Sequence, residues 1–248
     1  GVRAYWAAEA EEKTASKPKF KNVDLKLNKV IGLVYATDEL LQDAAALESW
    51  IMARLPDELR FKVEDAIING TGVGMPLGIL ASNALVSVTK ETGQLADTIV
   101  ANNISKVWAR RWGASGRNYI WLHNQDIEPQ LDQLSFGVGT AGALVYMPPG
   151  GLSASPYGSI KGRSVIPTEY NPTLGDVGDL LLADPTQYQM IEKGGIQSAS
   201  SIHVRFIYDE QTFRFVYRID GRPLWHSALT PFKGSNTQSP FIAIAERA

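Results

Sequence analysis

Between Thr37 and Ile68 the apolar residues Leu40, Ala44, Leu47, Ile51, Leu55, Leu59, Val63 and Ala66 recur every three or four positions. That spacing lays a single stripe along a helix. Thr37 or Asp38 is placed to cap it, and Glu39 falls in its first turn, where the helix dipole favours negative charge. Unbroken, such a helix spans about 45 Å at about 1.5 Å per residue, more than a small domain needs. Pro56 lies inside the run, and proline both lacks a donor and crowds the preceding turn. A kink or restart is therefore predicted there, with Asp57 and Glu58 opening the new first turn. Gly70 stops the helix, and Gly70, Gly72 and Gly78 predict a tight turn through Asn69–Leu80.

The segment in front of this run is charged and extended. Val2–Ala8 reads as a short strand carrying Tyr5 and Trp6, and residues 9–19 as a solvated tip with Glu11, Glu12, Lys13, Lys17 and Lys19. From Phe20 onward, Val23, Leu25 and Leu27 alternate with Asp24, Lys26 and Asn28, the period of a strand with one wet face. The two strands predict a long hairpin. A two-stranded hairpin alone is marginal in water, so it needs a surface, and a neighbouring subunit is the natural source. Trp6, a large aromatic on such an arm, ranks first among interface candidates.

Beyond the glycine turn the elements are mixed. A helix is predicted at Asn102–Trp112, a buried strand at Asn118–His123, and a short helix at Asp126–Leu134. Phe136–Pro156, rich in Gly and Pro, reads as a long surface loop. Short strands are predicted at Arg163–Pro167, Asp179–Ala183, Gln189–Ile191 and Phe241–Ala245. The clearest hairpin pairs Ile202–Tyr208 with Phe213–Ile219 around Asp209–Thr212. The class is α+β, in one large domain or two entangled ones, as 248 residues allow.

Several functions are disfavoured. A formal charge of −2 leaves no electrostatic footprint for nucleic acid, so any relation to DNA is containment. The chain has no cysteine, which excludes disulfides and thiolate metal sites. No apolar run reaches the roughly 20 residues a membrane helix needs. The N-terminus lacks the apolar core of a signal peptide and an initiator Met, as expected of a processed product or part of a longer chain. The glycine segment follows a helix and lacks the Gly-Lys-Ser/Thr ending of a phosphate loop. His123, His203 and His226 form no metal-type pair, and no nucleophile signature occurs. Neither cofactor nor metal is expected. Arg110 and Arg111 suit a solvated helix face, phosphate, or acids of an adjacent subunit.

The order of these elements resembles the HK97-like family of tailed-bacteriophage major capsid proteins. Ala4-Tyr5-Trp6-Ala7-Ala8-Glu9 followed by Phe20-Lys21-Asn22-Val23-Asp24-Leu25 is similar to the family's E-loop. Ala36-Thr37-Asp38-Glu39-Leu40-Leu41-Gln42-Asp43 resembles the start of its spine helix. Glu64–Gly72 and Pro76–Leu80 resemble the exit from that helix. Gly178–Pro185 with Tyr188, and Phe215–Gly221, are similar to stretches near the family's last strands.

The resemblance implies an HK97-like fold with a long spine helix, a P-domain sheet, an A-domain and an extended E-loop hairpin. It assigns 1–36 to the E-loop, 37–100 and 200–228 to the P-domain, and 101–199 and 229–248 to the A-domain. It implies a non-enzymatic subunit that forms pentamers and hexamers, and from them an icosahedral shell enclosing double-stranded DNA. The expected partners are further copies, a scaffold, a portal and a maturation protease, with no membrane. The expected location is the virion, and the host cytoplasm during assembly. Relatives usually carry an N-terminal arm, and often a cleaved scaffolding region, ahead of the E-loop. Some crosslink an E-loop lysine to a neighbour's asparagine. Lys13, Lys17 and Lys19 lie in that region, but no asparagine or glutamate partner matches, and a solvated charged tip is the simpler reading. The alternatives are an encapsulin-type compartment shell and, in a different class, a carboxylate-dependent α+β hydrolase.

Overall fold

The computed structural model describes residues 4–247, apart from 8, 10, 13–14, 18–20, 45, 114–117, 139–140 and 145–157. Two sheets organise the described residues, with a long helix laid against the first.

The first sheet is centred on β11 (Glu210–Pro223), flanked by β1 (Asn28–Thr37) and β10 (Gln197–Arg205), with β9 (Tyr188–Glu192) on its C-terminal half. All pairs are antiparallel. Val30, Val34 and Ala36 alternate along β1 and share a face with Phe213 and Phe215 of β11. That face packs on Ile51, Leu55 and Leu59 of the long helix α2 (Leu47–Asn69), so a period of two meets a period of four. Contact is close because position 32 is glycine. A Cβ there would stand 3.0 Å from Leu55 Cδ2.

The helical run is broken, but not where Pro56 predicts. The short helix α1 (Asp38–Asp43) is capped by Thr37, whose Oγ1 accepts from Leu40 N–H at 3.4 Å. The chain leaves helical geometry at Ala44 (ψ 75°) and resumes at Leu47. Alanines favour helix, so propensity does not cause this break. Packing supplies a reason. Leu41 and Leu47 both reach the α2–sheet core, yet residues six apart on one helix face well apart. Pro56 sits inside α2 without interrupting it. The preceding turn, Met52–Arg54, is exposed, so water can satisfy the carbonyl that loses its partner. Of the expected stripe, Ile51, Leu59 and Val63 are buried and Leu47 and Leu55 half-buried. Leu40, at 50% exposure, is not part of it, and Leu41 turns to the core instead.

The glycine exit doubles back on the helix end. Gly78 N–H donates to Gly70 O (2.8 Å), Ile79 N–H to Ile67 O (2.8 Å) and Leu80 N–H to Ile68 O (3.0 Å). A Cβ at Gly70 would lie 2.2 Å from Pro76 O, and one at Gly78 would lie 2.4 Å from Gly70 N. Gly72 has φ +78°, which favours glycine for a different reason.

The second sheet runs β2 (Val86–Val88), β12 (Phe241–Ile244), β8 (Leu180–Ala183), β3 (Ile120–Asn124), β7 (Arg163–Thr168), β6 (Ser159–Ile160). Every residue of β8 and β12 is buried, which explains their unbroken apolar sequences. One face meets α3 (Ala101–Ala109), α4 (Glu128–Asp132) and the 3-10 turn just before α4 through Ile104, Val107, Leu131 and Ile127. The other meets Ile79 and Ala84.

Three further expectations need correction. First, the described residues of 4–27 form no strand, and the regular strand is β1, which pairs with β11. Val2 and Ala8 of the expected first strand lie outside the described residues. An arm without a surface has little to hold a ladder together. Second, the late hairpin closes earlier than expected. Ser201 faces Thr212, the register then shifts, and Phe206–Tyr208 form a 3-10 turn ending at Asp209 with φ +50°. Third, the expected loop from Phe136 contains a ribbon of β4 (Ser135–Val138) and β5 (Ala141–Leu144), hidden in sequence by its glycines. Its remaining residues, 139–140 and 145–156, lie outside the described set. The sheets draw on distant parts of the chain: β1 builds the sheet under α2, and β2 joins the second sheet.

Candidate assembly surface

Three clusters of large apolar side chains reach solvent. On the arm, Trp6 is fully exposed (104%) and Tyr5 is exposed beside it. Glu11, Glu12 and Lys17 are exposed as expected of a charged tip, whereas Lys13 and Lys19 lie outside the described residues.

The second cluster is the β10–β11 tip, which the sequence reading treated as paired strand. Phe206, Ile207 and Tyr208 are exposed, Ile207 at 82%. The tip is fixed in place from below. Asp38 N–H donates to Asp209 O at 2.9 Å, Arg205 pairs with Glu210 at 3.1 Å, and its guanidinium stacks 4.1 Å from the Tyr35 ring centroid. Only a residue-level register would have revealed this tip, since alternation alone placed Ile202–Tyr208 inside a strand.

The third cluster flanks β1. Ile31, Leu33 and Tyr35 are exposed on its outer face. Between β1 and α2 lie two grooves, one at each end of the strand. One, of about 520 Å³, is lined by Val34, Trp50, Leu55 and Phe61 among others. The other, of about 300 Å³, includes Val30, Val63 and Met75. Phe232, at 99% exposure, stands apart from all three on the loop before β12.

Three buried titratable groups displaced from their ordinary values are tied up structurally. Burial holds His123 below its ordinary pKa, and its Nδ1 lies 2.7 Å from Asn124 O. Burial pushes Tyr119 up to about 12, and its hydroxyl accepts from Trp112 N–H and donates to Ser239 O, each at 2.9 Å. Burial likewise raises Tyr188, whose hydroxyl donates to Leu77 O at 2.9 Å. Such groups stay neutral and hold loops. Arg110 reaches Thr237 O at 3.3 Å, and Arg111 stacks over Trp108 at 4.3 Å, so both serve contacts within the chain. His203 and His226 are exposed. Among the described residues no cluster of three or more His, Asp and Glu is placed to hold a metal, and no helix is long and apolar enough to cross a membrane.

A long helix across a small sheet, a second sheet whose central strands are buried on both faces, and apolar side chains presented outward fit the HK97-like capsid fold. Solved structures agree. The chain is similar to the capsid of an empty GTA particle (TM-score 0.75, 16% identity, covering 100% of this chain and 82% of the other). It is similar to the capsid of a native GTA particle (0.75, 18%, 100% and 82%) and to Gordonia phage Cozz (0.67, 12%, 99% and 78%). No match is found among curated proteins. The model of the phage capsid family matches residues 1–234, and the chain belongs to that family. It is a structural capsid protein, and its place is the virion shell.

Proposed function

We propose that this chain is the major subunit of a phage or prophage shell, forming pentamers and hexamers that close into an icosahedron around double-stranded DNA. The observation that carries the reading is the match of the phage capsid family across residues 1–234, on a fold that covers the whole chain in particle capsids. The first sheet with α2 acts as the P-domain, the second sheet as the A-domain around the symmetry axes, and residues 1–27 as an E-loop lying on a neighbour. Closure around an axis uses head-to-tail contacts, in which two different patches of each copy meet. Each contact can be weak, because one subunit makes many at once and their effects compound.

The near-neutral chain suits a wall that contains DNA without gripping it. Scaffold, portal and maturation protease act during assembly in the host cytoplasm, and the subunit itself catalyses nothing. Sedimentation velocity of the full-length gene product tests the reading. Species far larger than a hexamer support it, and a monomer that persists at high concentration opposes it.

A further inference from the structure

The chain presents a knob and a hole that the fold itself leaves unpaired. The knob is Phe232, fully exposed on the loop that leads into β12. That loop is closed at its base, where Leu229 and Gln238 exchange both backbone hydrogen bonds at 2.8 Å and Arg110 Nη1 donates to Thr237 O at 3.3 Å. Lys233, the next residue, is exposed as well. A braced loop loses less conformational freedom on binding than a free one. A single exposed phenylalanine is ordinary on a protein surface, so it takes a matching hole to give it meaning.

The hole lies where α2 meets the second sheet. A cavity of about 280 Å³ opens between Ile67 of α2, Leu122 of β3, Thr168 of β7, and Tyr188 and Met190 of β9. Apart from Glu64 and Thr168, its lining is apolar or aromatic. A cavity of about 150 Å³ already takes benzene, so this one has room for a phenyl ring and its stem.

One edge of the cavity is acidic. Glu64 belongs to the lining and accepts from the Tyr170 hydroxyl. Tyr170 is pushed up to about 12, first by burial, then by that hydrogen bond and by the charges of Glu64, Glu169 and Asp65. Three carboxylates therefore gather on the Tyr170 side. The matching occupant is an apolar ring with a cation beside it, and Phe232-Lys233 is such a pair.

Knob and hole are displaced from each other across the second sheet. The loop leads into β12, on one side of the β8–β3 pair, while the cavity extends to β7 on the other. A head-to-tail contact needs two different patches placed apart in this way.

We infer that Phe232 and Lys233 of one copy dock on the next, the ring entering the cavity between α2 and the second sheet and the ammonium meeting Glu64 and Glu169 at its edge. The inference rests on the shell reading and names a contact between copies made without the arm.

The test uses the unsubstituted chain. Carbodiimide joins an amine to a carboxylate that it touches. In shells made from mixed isotope-labelled and unlabelled subunits, peptide masses show whether a link runs between chains. Lys233 linked to Glu64, Asp65 or Glu169 of a different chain is the expected result. Shells in which no such link forms, or in which it forms only within a chain, overturn the inference and leave the shell role intact. A chain that stays monomeric overturns both. Phe232→Ser gives a second measurement. It should raise the subunit concentration needed for assembly about tenfold or more, with an unchanged melting temperature of the free subunit. Phe232→Leu, which keeps an apolar knob, should recover most of the loss. Assembly of Phe232→Ser at the same concentration as the unsubstituted chain overturns the inference.

Discussion

The Arg247 guanidinium lies against the Asp179 carboxylate, and both side chains are 0% exposed. Sixty-eight positions separate them in sequence. Asp179 also accepts Leu180 N–H at 2.7 Å and Gly175 N–H at 3.1 Å, while Arg247 N–H donates to Gly175 O at 2.8 Å. One ion pair thus fixes the chain end to the turn that enters β8. Removing one partner of a buried pair leaves a buried charge, so Arg247→Met is expected to cost about 3–5 kcal/mol, read as a lower denaturation midpoint. The double change with Asp179→Leu should not restore stability, because the Gly175 and Leu180 N–H groups then lose their acceptor.

The helix exit makes a sharper contrast between glycines. Gly70→Ala and Gly78→Ala drive a Cβ into backbone at 2.2 and 2.4 Å. Both should leave little folded, soluble subunit. Gly74 has φ +70° but nothing within 4 Å of its Cβ position. Gly74→Ala should therefore cost only the backbone penalty, about 1 kcal/mol. Soluble expression and thermal melting of the three variants distinguish steric from conformational demand.

Stability should fall at both ends of the pH scale, for different groups. His123 is held below its ordinary value, so the folded state takes up its proton less readily than the unfolded chain. Its contribution is complete above about 6.5 and is lost as pH falls below that value. Tyr119 is raised to about 12, so its contribution is complete below about 10 and is lost as pH climbs from there towards 12. Melting temperatures across pH 5–7 and pH 9–12 check both signs. Tyr119→Phe should flatten the alkaline limb while lowering stability throughout, since Trp112 N–H and Ser239 O lose their partner.

Assembly should respond to exposed residues that the fold itself does not use. Trp6→Ala is expected to lower shell yield with an unchanged melting temperature, and so is Ile207→Ser at the β10–β11 tip. Particle yield by gradient sedimentation, set beside circular dichroism of the free subunit, reads the two effects separately. Undiminished yield would remove that residue from the interface.

Much of this architecture is legible in the chain. β8 and β12 announce themselves as short apolar runs because they are buried, and the α2 stripe follows from Ile51, Leu59 and Val63. What escapes sequence is what depends on distant partners. The break at Ala44 lies among good helix formers and is explained by Leu41 and Leu47 sharing one core. The Phe206–Tyr208 tip depends on a register shift opposite Glu210–Thr212. The Asp179–Arg247 pair joins a loop to the chain end with no local signature. Of the candidate surface, Trp6 was legible as an aromatic on a polar arm, while the free edge of β1 appears only once the sheet order is known.

The most direct test of the capsid role is electron microscopy of the full-length gene product purified at high concentration. Closed shells with five-fold vertices, or free pentamers and hexamers, are the predicted result. A compact, monodisperse monomer from a chain with its natural N-terminus would contradict it.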